Sequence, residues 1–141
     1  MKKQLLTLAI LCSTMALQAQ TLTVVATGLK NDKGEVQFSL YNKEGTIPDK
    51  TLSKYYKMKR VAITGTTAKA VFKDLPDGRY AVSVFHDENN NGKIDKGLIM
   101  PKEGVGLSNY KSINFFNLPN FKKASFLLNQ DRELKVGVIY L

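Results

Sequence analysis

The stretch "PDGRYAVSVF", Pro76 to Phe85, joins a turn to a strand, and the other segments of the chain repeat its strand pattern. Proline presets φ and glycine tolerates a positive φ, so Pro76-Asp77-Gly78 predicts a tight turn. From Tyr80 to Phe85, the apolar residues Tyr80, Val82 and Val84 alternate with Ala81, Ser83 and Phe85. This period of two predicts a β-strand with one face in a hydrophobic core.

Similar runs recur along the chain and indicate an all-β fold. No segment carries a long 3.6-residue period, and turn residues separate the runs. Asn31-Asp32-Lys33-Gly34 predicts a hairpin connection. About seven strands in about 120 residues predict an antiparallel β-sandwich. The predicted strands are Leu22–Ala26, Val36–Leu40, Val61–Ile63, Ala70–Phe72, Tyr80–Phe85, Ala124–Leu128 and Leu134–Leu141.

The N-terminal residues differ in character from all that follow. Lys2 and Lys3 precede a short apolar run, and small or polar residues come after it. This order is typical of a secretory signal peptide, and the run is shorter than the roughly 20 apolar residues of a membrane span. We expect cleavage after Ala19, which makes residues 1–19 the signal peptide and residues 20–141 a single β-sandwich domain. The mature protein would then be exported, to the periplasm or the extracellular space.

Composition excludes several classes of site. Cys12 is the only cysteine and lies inside the expected leader, so a mature chain has no disulfide and no thiol nucleophile. The large Leu11 before Cys12 disfavours lipidation, the alternative fate of this segment. The only histidine, His86, leaves zinc without enough ligands.

The formal charge of +9 bears on the class of partner. In a cytosolic protein, such an excess of lysine and arginine would suggest nucleic acid. In an exported protein, it suits solubility, an anionic envelope surface or acidic glycans. We therefore expect no nucleic-acid partner, and no segment after the leader is apolar enough to predict a transmembrane span.

The strand that ends at His86 runs into a polar stretch, "DENNNGKID", which opens the long connection from residue 87 to residue 120. Loops of this length are usually functional or disordered. The stretch matches the first half of the calcium-loop pattern D-x-[DN]-x-[DN]-G, in which alternate side chains converge on a cation and Gly92 permits the sharp turn. The predicted ligands are the side chains of Asp87, Asn89, Asn91 and Asp95 and the carbonyl oxygen of Lys93.

The match to a calcium loop is incomplete. An EF-hand has a bidentate glutamate at its twelfth position, where this chain has Leu98, and a strand rather than a helix enters the loop. A further ligand must therefore come from Glu103, Glu88 or water. His86 would pack at the loop mouth or orient Asp87. We predict a structural Ca²⁺ of weak to moderate affinity, with a plain polar turn as the alternative.

The segment Phe72 to Asn109, "FKDLPDGRYAVSVFHDENNNGKIDKGLIMPKEGVGLSN", resembles the signature of DUF2141, an uncharacterised family of small exported bacterial proteins. The resemblance covers the strand, the polar loop and the "PKEGVGLSN" that follows. It implies a prealbumin-like or immunoglobulin-like sandwich that fills the mature chain, and it implies no activity. "FKDLPDGRYAV" is also similar, more loosely, to the turn and strand of transthyretin-like and carboxypeptidase-regulatory-like modules.

Two other segments suggest surfaces for partners. Lys54–Arg60 interleaves aromatic and basic residues, which predicts a strand with one charged, solvated face that would also suit a glycan. Asn114–Phe121 is the most apolar part of the long connection. We expect it to be buried over one end of the sandwich, with an exposed partner-binding patch as the alternative.

Three functions are compatible with these features. The first is a non-enzymatic exported domain whose structural Ca²⁺ orders the loop for an envelope protein or glycan. The second is a metal-free carbohydrate- or envelope-binding module that uses Lys54–Arg60. The third is a hydrolase that pairs His86 with Asp87 or Glu103, although neighbouring residues on a strand point to opposite faces. We expect a binding protein rather than an enzyme.

Overall fold

The computed structural model describes residues 18–95 and 103–141, which form eight strands and one short helix. Most of the predicted signal peptide, including Cys12, lies outside the described residues, and so does Leu98. The elements are β1 (Ala19–Thr27), β2 (Glu35–Tyr41), β3 (Lys57–Ala62), β4 (Ala68–Pro76), β5 (Gly78–Asp87), β6 (Val105–Leu107), α1 (Phe121–Ala124), β7 (Phe126–Leu128) and β8 (Arg132–Gly137).

The strands form two sheets, as expected for a β-sandwich. One sheet has the order β4-β1-β8, and the other has the order β3-β2-β5-β6 with β7 also on β5. Along one edge of β5, β7 pairs with the first residues and β6 with later ones. Between named strands, every pairing is antiparallel except that of β1 with β8. Parallel neighbours need a long crossover, and here most of the chain lies between the two strands.

The alternating pattern places one face of each long strand in a common core. Tyr80, Val82 and Val84 of β5 lie in this core with Phe38 of β2 and Phe72 of β4. Both sheets contribute, so the large apolar side chains are removed from water between them. The fold class predicted from strand periodicity is confirmed.

The other face of β5 is covered as well. Ala81 packs in a second apolar cluster with Tyr110, Phe121 and Ala124, which come from the connection between β6 and β7. This connection therefore serves as an outer layer on the second sheet. No helix within residues 18–95 and 103–141 is long and apolar enough to cross a membrane.

Several local predictions are wrong. Asn31–Gly34 does not close a hairpin, because β1 and β2 belong to different sheets. The third strand is Lys57–Ala62 rather than Val61–Ile63, and it includes the end of the stretch Lys54–Arg60, where a strand was also expected. Ala124 ends a helical turn instead of starting a strand. Val105–Leu107 forms a strand that its glycine concealed, since glycine weakens strand propensity.

The expected burial of Asn114–Phe121 is only partly correct. Phe121 is buried, but Phe115 is 81% exposed, Leu118 is 63% exposed and Phe116 is fully exposed. The segment contains a tight turn that directs Phe115 and Phe116 outward, because Asn114 and Asn117 pair across it. An exposed apolar patch, the alternative considered from the sequence, is therefore present.

Candidate cation-binding loop

Strand β5 delivers His86 and Asp87 to the loop from a buried position. Asp87 pairs with Glu35 across the β2–β5 ladder and is fully buried, as is His86. Beyond Asp87 the backbone coils tightly, with a positive φ of 55° at Asn90 and of 72° at Gly92. Glycine adopts this conformation without strain, so Gly92 supplies the predicted sharp turn.

Asp87 organises the coil through its carboxylate. Oδ2 accepts the backbone N–H of Gly92 at 2.8 Å, and Oδ1 accepts that of Asn91 at 3.2 Å. Oδ2 also accepts Nη1 of Arg60 at 3.2 Å, and the Arg60 side chain is 32% exposed. The Asp87 carboxylate, at the first position of the pattern, is thus held by two backbone N–H groups of the coil and by the Arg60 guanidinium.

The remaining loop side chains bond to one another. Asn89 Oδ1 accepts the N–H of Asn91 at 3.2 Å, and Asn91 Oδ1 accepts that of Lys93 at 2.9 Å. The two amide nitrogens donate to the two carboxylate oxygens of Asp95, at 2.6 and 2.9 Å. Asp87, Asn89, Asn91, Lys93 and Asp95 therefore belong to one small, oxygen-rich coil.

Glu103 comes later in the long connection, and its carboxyl lies against this coil. Its side chain is 5% exposed, and Oε2 accepts the backbone N–H of Glu88 at 2.9 Å. Oε1 is buried and lacks a hydrogen-bond partner among the described residues. Burial raises the pKa of Glu103 to about 7, with further increases from a hydrogen bond that the protonated carboxyl can form with Asp95 and from the charges of Asp95 and Asp87.

The hydrogen bond between Glu103 and Asp95 depends on a proton. Two carboxyl groups share such a bond only when one of them is protonated. When both are ionised, two negative charges lie together with the Asp87 carboxylate nearby. Either a proton or a bound cation would relieve this repulsion.

Glu88 faces a different partner. Its Oε1 accepts Nδ2 of Asn31 at 2.7 Å, and Oε2 lies 3.4 Å from Nζ of Lys30. Burial opposes the charged form of Glu88, but Asn31 and Lys30 outweigh it and lower the pKa of Glu88. Of the two extra carboxylates expected from the sequence, only Glu103 therefore joins the coil.

His86 does not contact Asp87 through its ring in the described hydrogen bonds. Nε2 lies 2.7 Å from the carbonyl oxygen of Lys33, which can only accept, and Nδ1 lies 2.7 Å from Oη of Tyr140. Both ring nitrogens are thus committed to structural partners. Of the alternatives for His86, packing at the loop mouth agrees with these contacts, whereas orientation of the Asp87 carboxylate does not.

A close approach fixes the coil against the β1–β2 connection. At Gly34, where φ is +70°, an added Cβ would lie 1.8 Å from the carbonyl oxygen of Asp87. Only glycine fits there, so the backbone beside Lys33 presses directly on the first residue of the coil.

Comparison with known proteins identifies the family. A family model described as an uncharacterized protein conserved in bacteria, DUF2141, matches residues 24–136. The chain belongs to the DUF2141 family. No curated protein and no solved structure matches the DUF2141 chain, so the looser resemblance to transthyretin-like modules stays a prediction.

The side chains of the DUF2141 loop limit which kind of metal site it could form. Within residues 18–95 and 103–141, no three side chains of His, Cys, Asp or Glu are arranged as a metal site. A cation at the coil would therefore depend on amide and carbonyl oxygens as well as carboxylates. Hard cations such as Ca²⁺ accept this mixture, whereas zinc prefers nitrogen and sulfur ligands.

Sequence reasoning missed Arg60 as a partner of the DUF2141 loop. Arg60 stands opposite Gln37 in the β2–β3 ladder, and its Nη2 donates to Gln37 Oε1 at 2.9 Å. This register carries the guanidinium to Asp87. The pairing of two strands distant in sequence created the contact, so no local pattern indicated it.

Proposed function

We propose that this protein is a non-enzymatic, exported β-sandwich domain that holds a structural Ca²⁺ in the Asp87–Asp95 coil with Glu103. The observation that carries the proposal is the buried Glu103 carboxyl, whose Oε1 has no hydrogen-bond donor among the described residues when the group is ionised. A buried polar atom without a partner is costly. A cation would supply the missing contact.

Charge balance supports a divalent ion. Asp87, Asp95 and Glu103 contribute three carboxylates to the region, and Arg60 pairs with Asp87. A divalent cation between Asp95 and Glu103 would be attracted by both carboxylates. It would also join the two ends of the segment that lies between them.

The available ligands favour calcium over softer metals. They are carboxylates, the amide oxygens of Asn89 and Asn91, and the carbonyl of Lys93, all of them oxygen donors. Binding would exchange the amide hydrogen bonds to Asp95 for contacts with the ion, and this exchange lowers the net gain. We therefore expect the affinity of extracellular calcium modules, about 10⁻⁴–10⁻³ M.

The non-enzymatic part of the proposal rests on His86. A general base needs a ring nitrogen free to reach a substrate proton. Both nitrogens of His86 are bonded to Lys33 and Tyr140, and the residue is fully buried. The hydrolase considered from the sequence would have to break these bonds.

Export is supported by the basic and apolar N-terminal pattern and by the start of the fold. Strand β1 begins at Ala19, and the Gln20 side chain donates to Asp77 Oδ1 at 2.9 Å. Cleavage after Ala19 would leave Gln20 and this contact in place. The proposed location is the periplasm or the extracellular space.

A metal-free module that binds glycans or an envelope surface is the second candidate. Tyr55 is 37% exposed and Tyr56 is 43% exposed, and Nζ of Lys57 lies 5.7 Å from the Tyr56 ring centroid. Exposed aromatic rings beside lysines can stack on a sugar and contact its anionic groups. Arg60, however, is already engaged by Asp87 and Gln37.

Melting temperatures with EGTA and with Ca²⁺ test the calcium proposal. For a dissociation constant of about 10 μM, about 1 mM Ca²⁺ would stabilise wild type by about 2.7 kcal/mol, which is several degrees in a domain of this size. With the weaker affinity expected here, the same shift needs proportionally more Ca²⁺. Glu103→Gln should abolish the shift, and in EGTA it should melt at or above wild type because it removes a buried charge.

Glu44→Gln is the matched control, since Glu44 is an exposed carboxylate outside the coil. It should keep the full calcium shift. Asp87→Ala is a poor probe, because it would also strip partners from Arg60 and from the buried coil. The absence of any shift in wild type up to several millimolar Ca²⁺ would overturn the proposal.

A further inference from the structure

The connection between β6 and β7 carries a projecting segment, residues 111–120, which we call the aromatic finger. Phe115 and Phe116 occupy the two central positions of its turn and are 81% and 101% exposed. Leu118 adds a third exposed apolar side chain nearby in the chain. Exposed apolar side chains grouped in this way on a soluble surface mark an interaction site.

Hydrogen bonds hold the aromatic finger in a defined conformation, so the exposure of its tip does not come from a lack of contacts. Asn117 N donates to Asn114 O at 3.0 Å, and Asn117 Nδ2 donates to Ser112 O at 2.7 Å. At the base, the buried Tyr110 hydroxyl donates to Leu118 O at 3.0 Å and accepts the N–H of Asn120 at 3.1 Å. These contacts hold the two phenyl rings away from the protein.

The charged residues in the sequence around the aromatic finger have one sign. From Gly104 to Gln130 the sequence contains no aspartate or glutamate, and its charged side chains are Lys111, Lys122 and Lys123. All three are exposed, and Nζ of Lys123 contacts Asn117 Oδ1 at the turn. The apolar tip would fit an apolar interior, and the lysines at its base would fit an anionic layer above that interior.

We propose that the aromatic finger docks on an anionic lipid bilayer, with Phe115 and Phe116 inserted among the acyl chains and Lys111 and Lys122 against the headgroup phosphates. Insertion removes apolar surface from water, and each lysine near an anionic membrane adds electrostatic attraction. The proposal does not depend on a cation in the Asp87–Asp95 coil.

Two features favour a bilayer over other occupants. Phenylalanine has no polar atom to bond a sugar hydroxyl or a peptide group, so a hydrocarbon environment suits it best. A second copy of this chain would bring the same lysines against each other, and like charges oppose such contact. An anionic bilayer is attracted by the same lysines.

Co-sedimentation with vesicles tests the proposal, with EGTA present so that Ca²⁺ cannot bridge protein and lipid. Wild type should bind vesicles of phosphatidylethanolamine and phosphatidylglycerol, and should bind vesicles of phosphatidylcholine far less. The double variant Phe115→Ser/Phe116→Ser should lose at least about tenfold in affinity, because two buried phenyl rings are removed. Its folding should be unchanged, since both side chains lie in solvent.

Matched variants distinguish binding by the aromatic finger from non-specific binding through other exposed aromatic residues or through net charge. Tyr55→Ser/Tyr56→Ser removes the other exposed aromatic pair and should bind as wild type does. Lys111→Gln/Lys122→Gln should weaken binding several-fold more than Lys69→Gln/Lys135→Gln, which lowers the net charge equally on the opposite sheet. Because all variants share one N-terminus, any lipid affinity of the leader cancels in each comparison.

A fluorescence readout locates the contact directly. The chain has no tryptophan, so Phe116→Trp introduces a single reporter. Its emission should shift to shorter wavelength with anionic vesicles and be quenched by lipids brominated in the acyl chains, while Tyr56→Trp should show neither change.

Three results would overturn the proposal. The first is no binding of wild type to either kind of vesicle, and the second is binding that the serine double variant retains. The third is self-association of wild type, seen by sedimentation, that the serine double variant abolishes while vesicle binding persists. That result would assign the aromatic finger to a second copy of the chain.

Discussion

Glu103 places a carboxyl group in a buried position beside the charges of Asp95 and Asp87. Burial and these neighbours raise the pKa of Glu103 to about 7, so near neutral pH the group is balanced between its protonated and ionised forms. A proton and a cation would then compete for the same carboxyl, and each would stabilise the loop in its own pH range.

The first residue-scale prediction concerns pH in the absence of cations. The pKa of Glu103 is raised from 4.5 to about 7, so between these values the folded state binds more protons than the unfolded state. The stabilising contribution is complete below 4.5 and is lost as the pH rises through 7. Urea unfolding in EGTA should therefore show wild type losing stability, relative to Glu103→Gln, from about pH 5 to about pH 8.

The titration of Glu88 does not affect the comparison of wild type with Glu103→Gln in this pH range. Its pKa is lowered, so its contribution is lost only as the pH falls below the ordinary range of glutamate. If wild type and Glu103→Gln change stability in parallel from about pH 5 to about pH 8, the Glu103 carboxyl is not buried as described. Saturating Ca²⁺ should reverse the trend, because it binds the ionised form.

At the scale of elements, β5 connects most of the described structure. It pairs with β2 on one edge and with β6 and β7 on the other, and both of its faces are buried. Its last residues, His86 and Asp87, stand opposite Val36 and Glu35 at the end of the ladder with β2. His86 then joins the β1–β2 connection at Lys33 to the end of the chain at Tyr140.

Tyr140→Phe tests this junction. The change deletes the hydroxyl bonded to His86 Nδ1 and to the backbone N–H of Lys30. We expect the free energy of unfolding to fall by about 1–2 kcal/mol in urea titrations, because the buried ring nitrogen loses its partner. Tyr55→Phe, at an exposed tyrosine, should change it by less than about 0.5 kcal/mol. Equal effects of the two changes would mean that the junction contributes no stability.

At the scale of the whole molecule, the two proposed sites lie in one connection. Residues 88–125, between β5 and the short strand β7, carry most of the cation coil, Glu103, β6, the aromatic finger and α1. The two sheets supply a rigid support, and the long insertion carries the chemically distinctive side chains.

Processing of the N-terminus is the prediction for the whole molecule. Expressed with its own leader in a bacterium, the exported protein should begin at Gln20 by N-terminal sequencing or intact mass. Ala19→Leu should block cleavage, because the site requires a small residue, whereas Thr21→Ser should leave it unchanged. Recovery of the uncut wild-type chain in the cytoplasm would contradict export.

The sequence by itself determined the class of fold and the positions of most strands. Strand periodicity is local, since alternate side chains on a strand face the same side, so β2 and β5 could be located from residue order alone. The oxygen-rich coil was also visible, because Asp87, Gly92 and Asp95 act within one short segment. The resemblance to the family rested on Phe72 to Asn109, which includes this coil, and the family model matches residues 24–136.

Only the tertiary structure decided which distant groups meet. Strands β1 and β8 pair although most of the chain separates them, and Arg60 contacts Asp87 from another strand. Glu103 is buried because the fold brings other segments over it. The outward direction of Phe115 and Phe116 depends on hydrogen bonds across a local turn, which the residue types alone did not reveal. Register and burial depend on the free energy of the whole packed chain, and a local pattern of residue types does not contain that information.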